Sequence, residues 1–461
     1  MFKTLVNAWK IKDIRTKMLF TLLLIVIYRF GSFIPVPGVN SGVMASLIQQ
    51  YDALGFLSML SGSALSQFSI FAMGISPYIT GSIIIQLLTI AIPSLERLSK
   101  EEDGREKIER ITRYVGIGLA LVQSIGIVAS LQSVSVDGQT LLTNPTFFTY
   151  ATIGIICTAG TAFLVWLGER ITEKGIGNGV SFIIFTSICS SVPQTVIKYV
   201  GGVISPNVAT GNAYQWWILP ILLVVVLVLI TGVTLVDKAE RRIPVQYAKR
   251  VVGRKMYGGQ STNIPLKANA NGVMPLIFAM TIIQIPVMII QIVDGNGLAT
   301  MQKFMQDPTT SIEGVGWFTK FYTQYLASGT VIYYIIYALL IVAFAYFYTS
   351  ISFNPIEISK NLQQNGGFIP GIRAGSATSN YLSYVMNRLN TVGAVYLLFV
   401  ALIPTVLIMA LNLNTKLPFG GTTILIIAGV GLDTLRQAKA QTEQFQYAGF
   451  LFEDTDHKEG K

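Results

Sequence analysis

The sequence predicts an all-α membrane protein of ten transmembrane helices, and three observations carry that expectation. First, of 461 residues 52% are hydrophobic and only 12% charged, about half the charge of an ordinary soluble domain, and the mean hydropathy is +0.57. Second, a bilayer core needs about 20 apolar residues per helix. Runs of that kind fall near 18–36, 68–92, 114–133, 147–167, 178–200, 216–236, 271–293, 330–350, 385–411 and 422–438. Third, alternate connections differ sharply in basic charge. Those holding 1–17, 93–113, 168–177, 237–270, 351–388 and 433–461 carry 28 Lys and Arg, and the opposite set carries only Lys303, Lys320 and Lys416. The positive-inside bias then puts both termini in the cytoplasm. This composition excludes an ordinary cytosolic enzyme and a disordered or collagen-like chain.

Taken in order, residues 1–17 place Phe2, Leu5, Val6 and Trp9 at helical spacing with Lys3, Lys10 and Lys12 elsewhere. They read as an interfacial helix on an anionic leaflet or as a frayed basic terminus. The basic residues ahead of the first apolar run resemble a signal-peptide n-region, but the run is too long and Pro35 and Pro37 follow it. Arg29 is the one basic residue well inside a span; it either faces a polar cavity or packs its stem and snorkels its head.

Between Pro37 and the second span lies a short, small-residue-rich segment of Leu54, Gly55, Phe56, Leu57, Ser58, Met59, Leu60, Ser61, Gly62, Ser63, Ala64, Leu65 and Ser66. It is too short to cross, so it is interfacial, re-entrant or a surface loop. Backbone at membrane depth is tolerated only within protein or beside a water-filled cavity, so a half-helix here points to a cavity in the bundle. Further on, Gly175-Ile-Gly-Asn-Gly179 is glycine-rich, yet it lacks GxGxxG spacing and a preceding strand, and reads as a turn into a span.

Two connections are unusually long. Residues 237–270 carry Lys238, Arg241, Arg242, Lys249, Arg250, Arg254, Lys255 and Lys267 against Asp237 and Glu240. That excess is either the orientation signal alone or a projection that grips RNA phosphates or an acidic protein face. Residues 351–388 hold Gly366-Gly-Phe-Ile-Pro-Gly-Ile-Arg-Ala-Gly375, whose glycines and proline favour a fixed turn presenting Arg373.

The absent chemistry narrows function further. Every Asp and Glu lies in a connection, at a span edge (Asp237, Asp433) or in a terminus. Ion- and proton-coupled transporters normally keep a titratable group at membrane depth, which weakens a solute-transporter reading. Paired intramembrane Asp, HExxH and GxxxxGK[ST] are all missing, so an intramembrane enzyme lacks candidate groups and no catalytic residue is assigned. Cys157 and Cys189 sit in apolar runs and His457 in a polar tail, leaving neither a disulfide framework nor a metal site. No cofactor is expected.

From about residue 5 to residue 452 the chain resembles the SecY family, the channel subunits of protein-conducting translocons. The strings that carry the likeness are Gly168-Glu-Arg-Ile-Thr-Glu-Lys-Gly-Ile-Gly-Asn-Gly179, Tyr247-Ala-Lys-Arg250, Tyr257-Gly-Gly-Gln-Ser-Thr262 with Pro265-Leu-Lys267, and Gly367-Phe-Ile-Pro-Gly-Ile-Arg373. Phe71-Ala-Met-Gly-Ile-Ser-Pro-Tyr-Ile-Thr80 and Phe419-Gly-Gly-Thr-Thr423 add two more.

The resemblance implies two inverted five-helix halves, here 18–200 and 201–440, flanked by an N-terminus of 1–17 and a cytoplasmic tail of 441–461. It implies that residues 54–66 are a re-entrant plug half-helix, and that a pore ring is formed by Ile75, Ile79, Val180, Ile184, Ile277 and Ile426. Taken alone, each ring residue reads as ordinary helix packing. Apolar branched side chains would suit a throat that dewets to ions yet yields to a threading chain.

The resemblance also implies a lateral gate between the second and seventh spans, with Thr80, Gln86, Asn271 and Ile285 near it. Interhelical hydrogen bonds of about 0.6 kcal/mol each would bias such a gate, although Gln86 is equally a packing residue. Arg241, Arg242, Lys249, Arg250, Arg254, Lys255 and Arg373 become docking residues for the SecA ATPase or the ribosome. The expected partners are SecE and SecG subunits, SecA, the ribosome, signal sequences and nascent polypeptides, and membrane lipids, all at a bacterial plasma membrane. Three residues depart from the family pattern: Ser76 where methionine is frequent, Ala374 for a proline, and Asn271 for an alanine. Accessory translocon channels vary at such positions, so general and specialised cargo both stay open.

Overall fold

A computed structural model describes residues 9–50, 58, 61–101, 103–131, 135–136, 139–142, 144–204, 218–247, 250–252, 255–257, 261–269, 272–293, 316–326, 330–410 and 421–456. The chain is helical at every predicted span. The helices are α1 (Lys12–Gly31), α2 (Ser41–Gln50), α3 (Ser76–Ala91), α4 (Pro93–Lys100), α5 (Gly104–Leu131), α6 (Phe147–Lys174) and α7 (Gly179–Ile204), then α8 (Ile218–Lys238), α9 (Met274–Val293), α10 (Trp317–Phe321), α11 (Val331–Ser352), α12 (Pro355–Gln364), α13 (Ser376–Ala410) and α14 (Gly421–Asp456).

Several helices outrun their apolar cores: α5 starts ten residues before its expected span, and α14 runs on to Asp456. Length and apolarity qualify four continuous helical stretches as spans among the described residues, or five if α3 and α4 count as one bent pair. That bend is 105°. It falls at Ile92, where Pro93 opens α4, because proline is compatible with a helix's first turn and not with a preceding one.

The second span starts later than expected, at Ser76 rather than near 68. Residues 61–75 are instead a run of turns, with Ser63, Phe68 and Gly74 at φ of 69°, 45° and 58°. Such left-handed residues cannot continue an α-helix, and Pro77 in the first turn of α3 marks the true start.

The chain divides into two compact units. One comprises residues 1–214, 284–330 and 430–461, and the other 215–283 and 331–429, so α9 and α14 are each shared. In the first unit α5 packs against α3 and α6. At the α3–α5 crossing a Cβ on Gly81 would lie 3.0 Å from the Gly116 nitrogen, the close backbone approach that small residues permit between membrane helices. The core of this unit gathers Val36, Met44, Leu47, Leu65, Phe68, Val128, Leu141, Ile153 and Cys157 with Val287, Ile290 and Tyr322. A short hairpin, β1 (Ser135–Val136) with β2 (Gln139–Thr140), caps it.

In the second unit α11 and α13 pair, and Phe278 of α9 packs edge-on against Phe344 and Tyr348 of α11. The two long connections carry strands that the sequence reading did not expect. These are β3 (Glu240–Tyr247), β4 (Arg250–Val252), β5 (Lys255–Tyr257), β6 (Ser261–Lys267) and β7 (Gly367–Phe368). β6, β3 and β7 form one antiparallel sheet in that order, with Ile243 opposite Ile264 and Tyr247 opposite Gly367. Pro244 is tolerated in the middle strand because β7 pairs only with Gln246 and Tyr247, leaving the rest of β3 an edge on that side.

Candidate functional site

The segment expected to be re-entrant is built into the first unit. Leu54, Gly55, Phe56, Leu57, Met59 and Leu60 lie outside the described residues. Ser58 is helical and buried, and Ser61, Gly62, Ala64 and Leu65 are buried in the turns that follow. Serines brace these turns: the Ser61 hydroxyl donates to the Ser58 carbonyl and accepts from the Leu65 amide at 3.0 and 3.2 Å, and Ser66 donates to the Ser63 carbonyl at 2.6 Å. Backbone bonds then tie the segment to the chain after α1, from the Val36 amide to the Phe68 carbonyl and from the Ile70 amide to the Ile34 carbonyl.

Helix α1 holds it directly, and α7 and α6 brace what surrounds it. From α1, Arg29 Nη1 donates to the Gly62 carbonyl at 3.0 Å and Tyr28 Oη donates to the Ser61 carbonyl at 3.0 Å. From α7, Ser187 Oγ lies 2.6 Å from Tyr28 Oη. From α6, Thr161 donates to the Gly74 carbonyl at 3.2 Å. A row of rings runs alongside, with Phe71 stacked between Tyr28 and Phe163 at 5.9 Å from each, and Phe163 against Trp166 at 5.6 Å. The guanidinium of Arg29 therefore does not simply snorkel. It faces a cavity of about 40 Å³ lined with Ser32, Phe33, Gly62, Ser63, Ser66 and Gln67. Neither Tyr28 nor Ser187 stands out in the sequence, because each reads as a span residue and they lie 159 positions apart.

The expected ring residues stand in both units. Ile75 caps α3 and Ile79 follows one turn later; Val180 and Ile184 are likewise one turn apart on α7. Ile75, Ile184 and Ile426 are buried, and Ile79, Val180 and Ile277 half-buried. Ile277 and Ile426 belong to the second unit, on α9 and α14. Of the gate residues, Asn271 lies outside the described residues and Ile285 is half-buried on α9. Thr80 Oγ1 donates to the Ser76 carbonyl at 3.1 Å and Gln86 Nε2 to Ser82 Oγ at 3.3 Å, both within their own helix. A polar contact that sequence reasoning missed does cross helices, from Gln123 Nε2 on α5 to Met288 Sδ on α9 at 3.5 Å.

Strands from the two long connections meet on one platform in the second unit. Ile243, Val245, Leu266, Ile369 and Leu382 form its buried core. Arg241 and Arg242 are both exposed on β3, and Arg242 pairs with Glu240 at 2.6 Å. Arg250 and Lys255 mark the two strands of the β4–β5 hairpin, where Arg250 lies opposite Tyr257 and Lys255 opposite Val252; Lys249 and Arg254 lie outside the described residues. Arg373 is exposed on a turn held from two sides. Thr378 donates to its carbonyl at 2.9 Å and Ser359 to the Gly375 carbonyl at 2.6 Å, with Gly371 and Gly375 at φ of 82° and 102°. Those bonds fix the turn without the proline that Ala374 replaces.

The sequence profile of the SecY family matches residues 69–435. A protein from Streptomyces galbus named protein translocase subunit SecY is 44% identical over 465 aligned residues, covering 98% of this chain and 100% of that protein. Among solved structures, one describing how the plug domain of a SecY protein stabilises the closed state of its channel aligns with TM-score 0.57 and 18% identity, over 92% of this chain and 91% of that one. A canine Sec61 in a ribosome-channel complex aligns with TM-score 0.56 at 18% identity over the same shares. At that identity the likeness to the solved structures is one of fold.

Proposed function

The chain belongs to the SecY family, and we propose that it is the central pore-forming subunit of a protein-conducting channel in a bacterial plasma membrane. It passes unfolded secretory polypeptides and releases membrane segments sideways into lipid. One observation carries this reading: the uncharged turn segment 61–66, held by Tyr28 and Arg29 of α1 with Ser187 of α7 against Tyr28, in a chain matched over 98% of its length by a translocase subunit at 44% identity.

In this reading residues 54–66 are the plug, and Ile75, Ile79, Val180, Ile184, Ile277 and Ile426 form the constriction. Their support is chemical: each is apolar and branched, so a narrow neck of them expels water while offering substrate side chains no specific partner. The gate lies between α3 and α9. Ten spans form two inverted five-helix halves with both termini cytoplasmic, which the 28-to-three division of basic residues supports. The platform is then cytoplasmic, and its exposed arginines favour phosphate or carboxylate faces, as in the ribosome or SecA. SecE and SecG are the proposed small subunits. Work comes from the docked motor or from chain elongation, since the sequence holds no phosphate loop.

The test is reconstitution. Vesicles carrying this chain with its co-purifying small subunits, given SecA, ATP and an unfolded precursor, should protect that precursor from added protease. Protection no greater than in vesicles lacking the chain would overturn the reading.

A further inference from the structure

We propose that Tyr28 and Ser187 form a two-position hydrogen-bond relay that holds segment 61–66 in its seat and releases it at low cost. The proposal rests on the plug reading above and adds to it a positioning pair with a defined polarity.

Counting protons shows why two positions exist. Tyr28 Oη lies 3.0 Å from the Ser61 carbonyl oxygen and 2.6 Å from Ser187 Oγ. Ser187 Oγ lies 2.8 Å from the Ile183 carbonyl oxygen on its own helix. Each hydroxyl has one proton to donate, so these three contacts share two protons and cannot all be hydrogen bonds at once. With the segment seated, Ser187 donates to Tyr28 and Tyr28 donates to Ser61. With the segment away, both hydroxyls rotate: Tyr28 donates to Ser187, and Ser187 donates to Ile183.

Both arrangements leave the two hydroxyls satisfied, and with the segment seated Tyr28 and Ser187 are each only 1% exposed. That matters because a buried polar group left without a partner costs about 1–3 kcal/mol. A lone tyrosine would impose that cost on every opening; a tyrosine with a fallback acceptor does not. Arg29 makes the neighbouring hold on Gly62, and the 40 Å³ cavity beside it has room for a water to take over that bond. The seat is thus polar enough to place the segment and has alternative partners ready when it leaves.

The relay predicts opposite signs for its two members, which a merely structural role does not. The complex is reconstituted into vesicles and read by potassium flux, at rest and with a precursor signal peptide. Tyr28→Phe removes the donor to Ser61, so resting flux should rise several-fold. Ser187→Ala removes the fallback acceptor, so release strands the Tyr28 hydroxyl; peptide-stimulated opening should fall at least about fivefold with no rise at rest. The double variant should behave like Tyr28→Phe.

Hydrogen exchange at the Ser63 and Ser69 amides gives a second readout that needs no conductance. It should be faster in Tyr28→Phe and slower in Ser187→Ala. Equal leak or equal speeding of exchange in both single variants overturns the relay. Unchanged flux in Tyr28→Phe, alongside a leak on deleting residues 58–66, overturns the relay and leaves the plug reading standing. Unchanged flux in the deletion overturns the plug reading and the relay with it.

Discussion

Gly62 is the residue on which the seat turns. Its φ of 66° lies in the left-handed region, and a Cβ there would come within 2.7 Å of Arg29 Nη1 and 2.9 Å of the Ser187 Cα. An L-residue in that conformation costs about 1–2 kcal/mol, and a contact with backbone cannot be relieved by rotating a side chain. Gly62→Ala is therefore expected to unseat the segment and raise resting potassium flux in vesicles. Its melting temperature should move little, because the α3, α5 and α6 packing is untouched. Arg373 shows the opposite case, an exposed side chain on a rigid support. Arg373→Glu inverts the charge while Ser359 and Thr378 still hold the turn, so SecA-driven transport should fall although the chain remains folded in the membrane. Normal transport by that variant would remove Arg373 from the docking surface. The sequence pointed to Arg373 because its turn chemistry is local; it could not point to Tyr28, whose partners come from residues 33 and 159 positions away.

Elements of the molecule were legible in proportion to how much of their signal is local. Long apolar helices announce themselves, and a helix lies at each of the predicted spans. Their ends do not, because turns extend well past the apolar run, as α5 and α14 do. The strands of the platform went unread for a different reason. Ile243, Val245 and Tyr247 do alternate, as do Ile264 and Leu266, but the arginines between them read first as an orientation signal. β7 is only two residues long and has no pattern of its own. The sheet is nonetheless what joins the two basic connections into one body. Val245 is fully buried at its centre, and Val245→Asp would place an unpaired carboxylate there, a cost of several kcal/mol. The expected outcome is new protease cleavage within 237–270 and loss of salt-sensitive ribosome or SecA binding, with the helices still inserted. Binding at unchanged strength would show that the basic residues act without the sheet.

Across the whole molecule, charge rather than hydrophobicity decides orientation. The apolar runs fix where helices form and are indifferent to which end enters first; the 28-to-three division of Lys and Arg breaks that symmetry. It is also the part of the architecture least dependent on side-chain contacts, so it can be checked without touching the seat or the platform. Lys320 on α10 and Lys360 on α12 are both exposed and fall on opposite sides of the proposed topology. With Cys157 and Cys189 replaced, a single cysteine at each position can be probed in intact cells by a membrane-impermeant maleimide. Lys320→Cys should label from outside and Lys360→Cys only after the membrane is opened. The reverse pattern would invert the chain, carrying the arginine platform to the outer face, where neither an ATP-driven motor nor a ribosome could reach it. Labelling of both from outside would break the odd number of crossings that the eighth span supplies between them.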